Sequence, residues 1–168
     1  ETGNIAYNIP GAYVFEGQLD RQALELSFSS LIDRHEILRT VFREDEHGEV
    51  RQFILPSMDF RVYYLDLRGN KDHLPFLLKQ DHSVSFYLEN GPLMRATLYQ
   101  LQDNKWVFSF VMHHIISDGW SIGVLISDLL HVYNSAVKQE DITLPSLRIQ
   151  YKDYAHWQQQ QLSGKIQE

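Results

Sequence analysis

The apolar run from residue 106 to residue 112 constrains the fold more than any other segment of this sequence. It reads Trp-Val-Phe-Ser-Phe-Val-Met, with one serine as its single polar residue. Neighbouring side chains of a strand point to opposite faces of a sheet, so a run that is apolar at both parities predicts a strand covered on both faces. The rest of the chain must therefore supply strands beside this one and layers above and below it.

Strand and turn signals surround this central strand. A second apolar run, at 93–101, is separated from a strand at 105–112 by Gln102-Asp103-Asn104, which predicts a hairpin, and Asn90-Gly91-Pro92 predicts a turn before that run. Further strands are predicted at 13–17, 40–43, 50–54 and 60–65. Such closely spaced strands favour a largely antiparallel sheet.

Four segments carry helical periodicity. The first helix begins at Asp20, whose carboxylate can cap the free N–H groups, and Leu19 and Leu24 can form a hydrophobic staple there. The packed face of this helix is predicted to consist of Leu24, Phe28, Leu31, Ile32 and His35. The other helices are predicted at 72–83 with Pro75 in the first turn, at 122–136, and at 151–160 with Tyr154, Ala155 and Trp157 on the packed side. The predicted fold class is therefore α/β, an α+β sandwich with helices over a mostly antiparallel sheet.

Composition narrows the classes of protein that fit. The 168 residues, 43% of them hydrophobic and 22% charged, suit one globular domain over 1–168. A formal net charge of −7 disfavours nucleic acid and anionic membranes as partners. The absence of cysteine excludes disulfides, thiolate metal sites and a cysteine nucleophile. No apolar run approaches the roughly 20 residues of a membrane span, so we expect a cytoplasmic protein.

Two adjacent histidines, His113 and His114, end the central strand, and a glycine and a helix follow them. Because neighbours on a strand face opposite ways, one imidazole should face the core and the other should open into a cleft. A neutral imidazole there is suited to accept a proton, since its ordinary pKa lies near working pH. Asp118 can orient an imidazole or bind a cation elsewhere, and Gly119 would allow a tight passage into the helix.

Residue types alone leave other interpretations of this segment open. A pair of histidines beside a strand is often purely structural. A metal site built from His113, His114 and Asp118 is disfavoured, because neighbours that face opposite ways do not both ligate one ion easily. Ser117 lacks the strand, Gly-x-Ser-x-Gly turn and helix that present a nucleophilic serine.

Three motifs carry a family resemblance. Residues 113–119, His-His-Ile-Ile-Ser-Asp-Gly, resemble the His-His-x-x-x-Asp-Gly signature of nonribosomal peptide synthetase condensation domains, which other acyltransferases of the chloramphenicol acetyltransferase-like superfamily share more loosely. Residues 34–42 resemble that family's Arg-His-Glu-x-Leu-Arg-Thr-x-Phe motif, and residues 151–157 its Tyr-x-Asp-Phe/Tyr-Ala-x-Trp motif. The motifs occur in the family's order, and the resemblance spans essentially the whole chain.

The resemblance implies a chloramphenicol acetyltransferase-like lobe and an amide-forming reaction. The chain is similar to the N-terminal lobe of a condensation domain, without the family's opening Ser-x-Ala-Gln-x-Arg motif and without the C-terminal lobe. In that family, the amine of an acceptor aminoacyl group attacks the thioester of a donor acyl or peptidyl group. Both groups arrive on phosphopantetheine arms of carrier proteins, and no cofactor is expected on the domain itself.

The resemblance also implies a role for each residue of the site. His114 is the catalytic residue, either as a base that takes a proton from the amine or as a group that positions the amine. His113 is implied to be structural. Asp118 is implied to form a salt bridge with Arg34, and Gly119 to border the acceptor side of the tunnel. The residues around Asp118 are most like those of domains that join two L-residues.

Partners and alternatives follow from the same resemblance. The expected partners are donor and acceptor peptidyl carrier proteins, the C-terminal lobe and a neighbouring adenylation domain. Alone, the lobe is expected to be inactive and to self-associate through the apolar face that the second lobe would cover. The alternatives are an acyltransferase that uses acyl-CoA and a non-catalytic condensation-like module that recruits a partner.

Overall fold

The computed structural model describes residues 5–165, which form six strands and four helices. The strands are β1 (Asn8–Glu16), β2 (Thr40–Glu44), β3 (Val50–Ile54), β4 (Val62–Asp66), β5 (Met94–Gln102) and β6 (Lys105–His113). The helices are α1 (Arg21–Arg34), α2 (Leu74–His82), α3 (Gly119–Lys138) and α4 (Tyr151–Lys165), and a short 3-10 helix (Glu36–Arg39) follows α1. The predicted α/β class is confirmed.

The strand β6 lies inside a four-stranded sheet of order β1-β6-β5-β4. It pairs antiparallel with both neighbours, whereas β4 and β5 are parallel, and β2 and β3 form a separate antiparallel hairpin. Trp106 and Met112 of β6 join the core cluster beneath α1 and α3, and Val107 joins a second cluster beneath α2. The prediction that this strand is covered on both faces is therefore confirmed.

The helix α1 begins as the sequence predicts. The carboxylate of Asp20 accepts a hydrogen bond from the Ala23 N–H at 3.0 Å, which satisfies one of the free donors of the first turn. The predicted packed face is buried at Leu24, Phe28, Leu31 and Ile32, while His35 caps the end of the helix. In the core these side chains meet those of α3, including Val132, which has no solvent exposure.

The strand β1 is longer than predicted, because it starts at Asn8 and not at Tyr13. Pro10 and Gly11 lie in the added half, and both residues are unfavourable in the interior of a sheet. The strand occupies an end of its sheet, where a proline without an N–H is tolerated. The extension brings the residues around Tyr7 beside the end of β6.

The helix α4 corrects the sequence analysis. Tyr154 and Trp157, which were expected on a packed side, are 44% and 55% exposed, and only Ala155 is half-buried. The helix is anchored at its start, where Lys152 forms an ion pair with Glu36 at 2.7 Å. Aromatic residues at helical spacing indicate that a helix has an apolar stripe, but they do not indicate whether another element covers that stripe.

In the part of the chain that the structure describes, no helix is long and apolar enough to cross a membrane.

The cap at the start of α1 gives a prediction. Substitution Asp20→Ala removes the acceptor of the Ala23 N–H and should lower the free energy of unfolding by about 1 kcal/mol. Chemical denaturation monitored by circular dichroism measures the change. Asp33→Ala is the matched control, because it removes an exposed carboxylate from the last turn of the same helix, where a negative charge is unfavourable. An equal loss of stability in both variants would contradict the capping role.

Candidate active site

The end of β6 orients the two histidines in opposite directions. The His113 N–H donates to the Leu93 carbonyl at 2.9 Å, and the His114 N–H donates to the Tyr7 carbonyl at 2.8 Å. These bonds keep the backbone extended up to the point where the strand ends. The His113 side chain is consequently buried, whereas His114 is exposed, as the alternation along a strand predicts.

The imidazole of His113 contacts two aromatic rings. The Tyr7 ring centroid is 5.9 Å away, and the Phe86 ring stands edge-on at 6.2 Å. The Ile115 N–H donates to Nδ1 of His113 at 3.1 Å. Burial, and to a lesser extent the charge of His114, lower the pKa of His113 below its ordinary value of 6.5, so the ring is neutral near pH 7.

A cleft of about 1100 Å³ opens beside the two histidines. It is lined by Tyr7, Phe42, Arg43, Glu44, Val50, Phe86, Tyr87, Leu88, Glu89, Asn90, His113, His114 and Ile115. Most of the lining residues are apolar or aromatic. The charged carboxylate and guanidinium groups belong to Arg43 and Glu44 of β2 and to Glu89, which precedes β5. Such a cleft can hold an extended apolar group next to an exposed imidazole that exchanges protons.

The carboxylate of Asp118 is committed to starting α3. It accepts from the Ser121 N–H at 2.8 Å, and the Ser121 hydroxyl accepts from the Asp118 N–H at 2.8 Å, which together form a capping box. Bonds from Ser121 to the carboxylate hold the pKa of Asp118 below its usual range. An orienting role toward an imidazole is therefore not supported, because the hydrogen bonds of this carboxylate go to Ser121.

The ion pair implied for Asp118 and Arg34 is wrong in this structure. Nε of Arg34 lies 2.9 Å from Oδ2 of Asp128, in the middle of α3, and Nε2 of His35 lies at 2.9 Å from the same oxygen. All three side chains are largely buried, so the carboxylate joins the end of α1 to α3. Asp118 is exposed at the start of α3, where its carboxylate already accepts a hydrogen bond from the Ser121 N–H.

Asp128 was missed from the sequence, although a signal was present. It lies three residues after Leu125 and four residues before Val132, on the face of α3 that the core buries. A charge at such a position costs free energy unless a partner of opposite charge is buried with it. An acidic residue within an otherwise apolar helical face was therefore evidence for a buried cation.

Gly119 is the first residue of α3 and needs no special backbone conformation. It has no positive φ angle, so the passage into the helix does not use the conformational freedom of glycine. A Cβ atom added there would meet no atom within 4 Å. The turn into α3 is instead held by the Asp118 capping box.

A metal site at the histidines is not formed. Among residues 5–165, no group of three or more histidine, aspartate or glutamate side chains is placed to hold a metal ion.

The fold and the site define an α/β lobe in which an exposed histidine follows a central strand. The model of the condensation domain family matches residues 1–168, and the chain belongs to that family. It is 42% identical to a linear gramicidin synthase of Brevibacillus parabrevis over 165 residues, and 43% identical to malpinin synthetase of Mortierella alpina over 161 residues. Each alignment covers at least 94% of this chain but only 3% and 2% of those synthetases.

Solved structures agree with the family. The X-domain in its complex with OxyB from teicoplanin biosynthesis is 29% identical, with a TM-score of 0.86 over 95% of this chain and 34% of that chain. The starter condensation domain of rhizomide synthetase has the same fold, with a TM-score of 0.78 at 23% identity, over 85% of this chain and 35% of that chain. The expected chloramphenicol acetyltransferase-like fold is confirmed.

The two carboxylates of α3 give a second prediction. Asp128→Ala leaves the Arg34 cation without its partner and should lower the free energy of unfolding by about 2 kcal/mol, less than for a fully buried pair. In a double-mutant cycle, Arg34→Ala and Asp128→Ala should be coupled. Arg34→Ala and Asp118→Ala should be additive. Coupling of Arg34 to Asp118 and not to Asp128, measured by denaturant unfolding, would restore the pairing that the family resemblance implies.

Proposed function

We propose that this chain is the N-terminal lobe of a nonribosomal peptide synthetase condensation domain, and that the complete domain forms amide bonds between carrier-bound substrates. The observation that carries the proposal is the exposed imidazole of His114 at the end of β6, beside a cleft large enough for tethered substrates. Relatives that are themselves peptide synthetases support it.

The reaction joins a donor acyl or peptidyl group to the amine of an acceptor aminoacyl group. The amine nitrogen attacks the thioester carbonyl carbon, a C–N bond forms, and the C–S bond breaks. His114 accepts the proton that the amine loses, and that proton is returned to the leaving pantetheine thiolate. The exposed ring suits this step, because a general base must be reached by the attacking group and must release its proton again.

The two tethered substrates supply much of the rate by themselves. A thioester is an activated acyl group, and holding it next to the amine replaces a bimolecular encounter with an intramolecular step. The apolar walls of the cleft, which include Phe42, Phe86 and Leu88, would exclude water that competes for the thioester.

The remaining partners complete the proposal. Donor and acceptor peptidyl carrier proteins deliver the substrates, an adenylation domain lies nearby in the synthetase, and the C-terminal lobe closes the cleft from the other side. The chain spans about a third of the solved relatives, so we propose that it is inactive without that lobe. Gly119 would then border the approach of the acceptor amine, and the synthetase would work in the cytoplasm.

Loss of the His114 imidazole gives the third prediction. In the intact two-lobe domain supplied with loaded donor and acceptor carriers, His114→Ala should reduce amide formation by ~10²–10⁴-fold. His47→Ala is the matched control, because that histidine is exposed in the turn between β2 and β3 and should be dispensable. Product is measured by mass spectrometry of the acceptor carrier. Equal rates in wild type and His114→Ala would exclude His114 as the proton acceptor.

Two other functions give different results in the same assay. An acyltransferase of the wider superfamily would accept acyl-CoA in place of the carrier-bound donor. A recruitment module would make no product with any donor, and the X-domain found in a complex with OxyB is a related protein that associates with a partner. Transfer from carriers and not from CoA supports condensation over both.

Exposed aromatic side chains give the fourth prediction. Trp120 is 85% exposed, and the rings of Tyr151, Tyr154 and Trp157 contact one another along α4. The chain alone should therefore self-associate at high micromolar concentration in sedimentation velocity experiments. Trp157→Ser should weaken the association more than Tyr63→Ser, which removes an exposed ring from β4. A monomeric mass at every concentration would contradict this prediction.

A further inference from the structure

One side of the cleft is formed by residues 84–89, which we call the cleft wall. The last four of these residues, 86–89, line the cleft. The wall lies between regular elements, because α2 ends at His82 and β5 begins at Met94. Phe86 is 7% exposed and Tyr87 is 70% exposed, so one ring is packed and the next is open to the cleft. The position of this wall therefore depends on the contacts at its two ends.

The start of the cleft wall is held by two side chains from different strands. Nδ2 of Asn8, on β1, donates to the carbonyls of His82 and Val84 at 3.0 and 2.9 Å. Nη2 of Arg95, on β5, donates to the carbonyls of Asp81 and Val84 at 2.9 and 2.8 Å. The last carbonyls of a helix have no acceptor role within it, so these donors also satisfy the end of α2. The Val84 carbonyl is the point at which both side chains meet.

Both contacts need an N–H donor and not only a side chain of the right shape. The two partners of the Asn8 amide are carbonyl oxygens, which only accept, so its Nδ2 must face them. The guanidinium of Arg95 also forms an ion pair with Asp81 at 3.2 Å and lies 4.0 Å above the Phe86 ring centroid. Arg95 thus contacts both the backbone of the wall and the ring that the wall packs inward.

The far end of the cleft wall is attached to β2. The Phe42 N–H donates to the Leu88 carbonyl at 2.8 Å, and Nε of Arg43 donates to the Glu89 carbonyl at 2.9 Å. The wall is therefore fastened at both ends, and Phe86 and the residue after it span the distance between the two attachments. This arrangement fixes the width of the cleft before any substrate enters.

We propose that Asn8 and Arg95 are positioning residues, which fix the cleft wall through the Val84 carbonyl and so set the size of the apolar donor group that the cleft accepts. This inference rests on the proposed function, since it assigns a selectivity to the cleft beside His114. Neither Asn8 nor Arg95 belongs to the lining of that cleft, so both act through the wall. A fixed apolar wall distinguishes groups that differ by one methylene by roughly 10- to 200-fold.

Two substitutions remove the donors and keep much of the shape. Asn8→Asp places a carboxylate against two carbonyl oxygens, and Arg95→Met keeps an unbranched chain that can pack on Phe86. Asn104→Asp and Arg61→Met are the matched controls, because they change exposed side chains outside the cleft. Thermal unfolding shows which variants are folded. Asn8→Asp leaves the ion pair of Arg95 in place, so it decides the question if Arg95→Met does not fold.

Competition between donors measures the selectivity. In the intact domain, carrier-bound donors that range from alanyl to phenylalanyl compete for one loaded acceptor carrier, and the products are counted by mass spectrometry. Wild type should prefer one size of donor. Asn8→Asp and Arg95→Met should each reduce the ratio between the best and the worst donor roughly 10-fold, and the controls should keep it. A general loss of activity cancels from this ratio, because all donors share one reaction.

Hydrogen exchange of residues 84–91, followed by mass spectrometry, does not depend on activity. The N–H groups of Asn90 and Gly91 both donate to the Tyr87 carbonyl at 3.2 Å, so their exchange reports whether the wall keeps its shape. Exchange should be faster in Asn8→Asp and Arg95→Met than in wild type or the controls. This result stands even when the wild type makes no peptide, which separates failure of this inference from failure of the proposed function.

Three results would overturn the positioning role. One is a folded Asn8→Asp protein in which residues 84–91 exchange as slowly as in wild type. Another is an active wild type that uses all donors equally, which would show that the wall selects nothing. The third is a variant with rapid exchange in the wall and an unchanged ratio between donors, which would separate the wall from selectivity.

Discussion

The burial of β6 on both faces is the constraint on which the site depends. Because β1 and β5 pair with both edges of this strand, its register and the direction of every side chain are fixed. At the end of such a strand, the His113 side chain is buried and the His114 side chain is exposed, and both border the cleft. The exposed His114 imidazole is thus positioned by the end of the sheet, next to the cleft.

The helix α3 uses its two aspartates for different purposes. Asp118 ends the loop after His114 and satisfies the first turn of the helix, while Asp128 fastens the middle of the helix to the end of α1 through Arg34 and His35. One carboxylate therefore sets where the helix starts, and the other sets how it lies on the core. Arg34, His35 and Asp128 do not line the cleft, so their contact acts on the site by fixing the scaffold around it.

The sequence predicted those features that periodicity or local chemistry determines. The opposite orientation of His113 and His114, the cap at Asp20 and the central position of β6 all follow from alternation or from hydrogen-bonding capacity within a few residues. Sequence reasoning failed for features that depend on packing between distant elements. The partner of Arg34 is on α3, and the exposure of Trp157 depends on whether another element covers α4. The first half of β1 was missed because Pro10 and Gly11 argue against a strand, although an edge strand tolerates both residues.

The central claim is that the cleft beside His114 receives the tethered acyl group. A carrier protein loaded with an acyl chain that bears a photoreactive group at its carbonyl end tests this claim directly, when it is irradiated on the intact domain and the labelled peptides are mapped by mass spectrometry. The account predicts labels on residues that line the cleft, such as Tyr87 and His114, and their disappearance in the presence of excess unmodified acyl carrier. Labels that persist under competition, or that fall on α4 or β4 and spare the cleft, would contradict it.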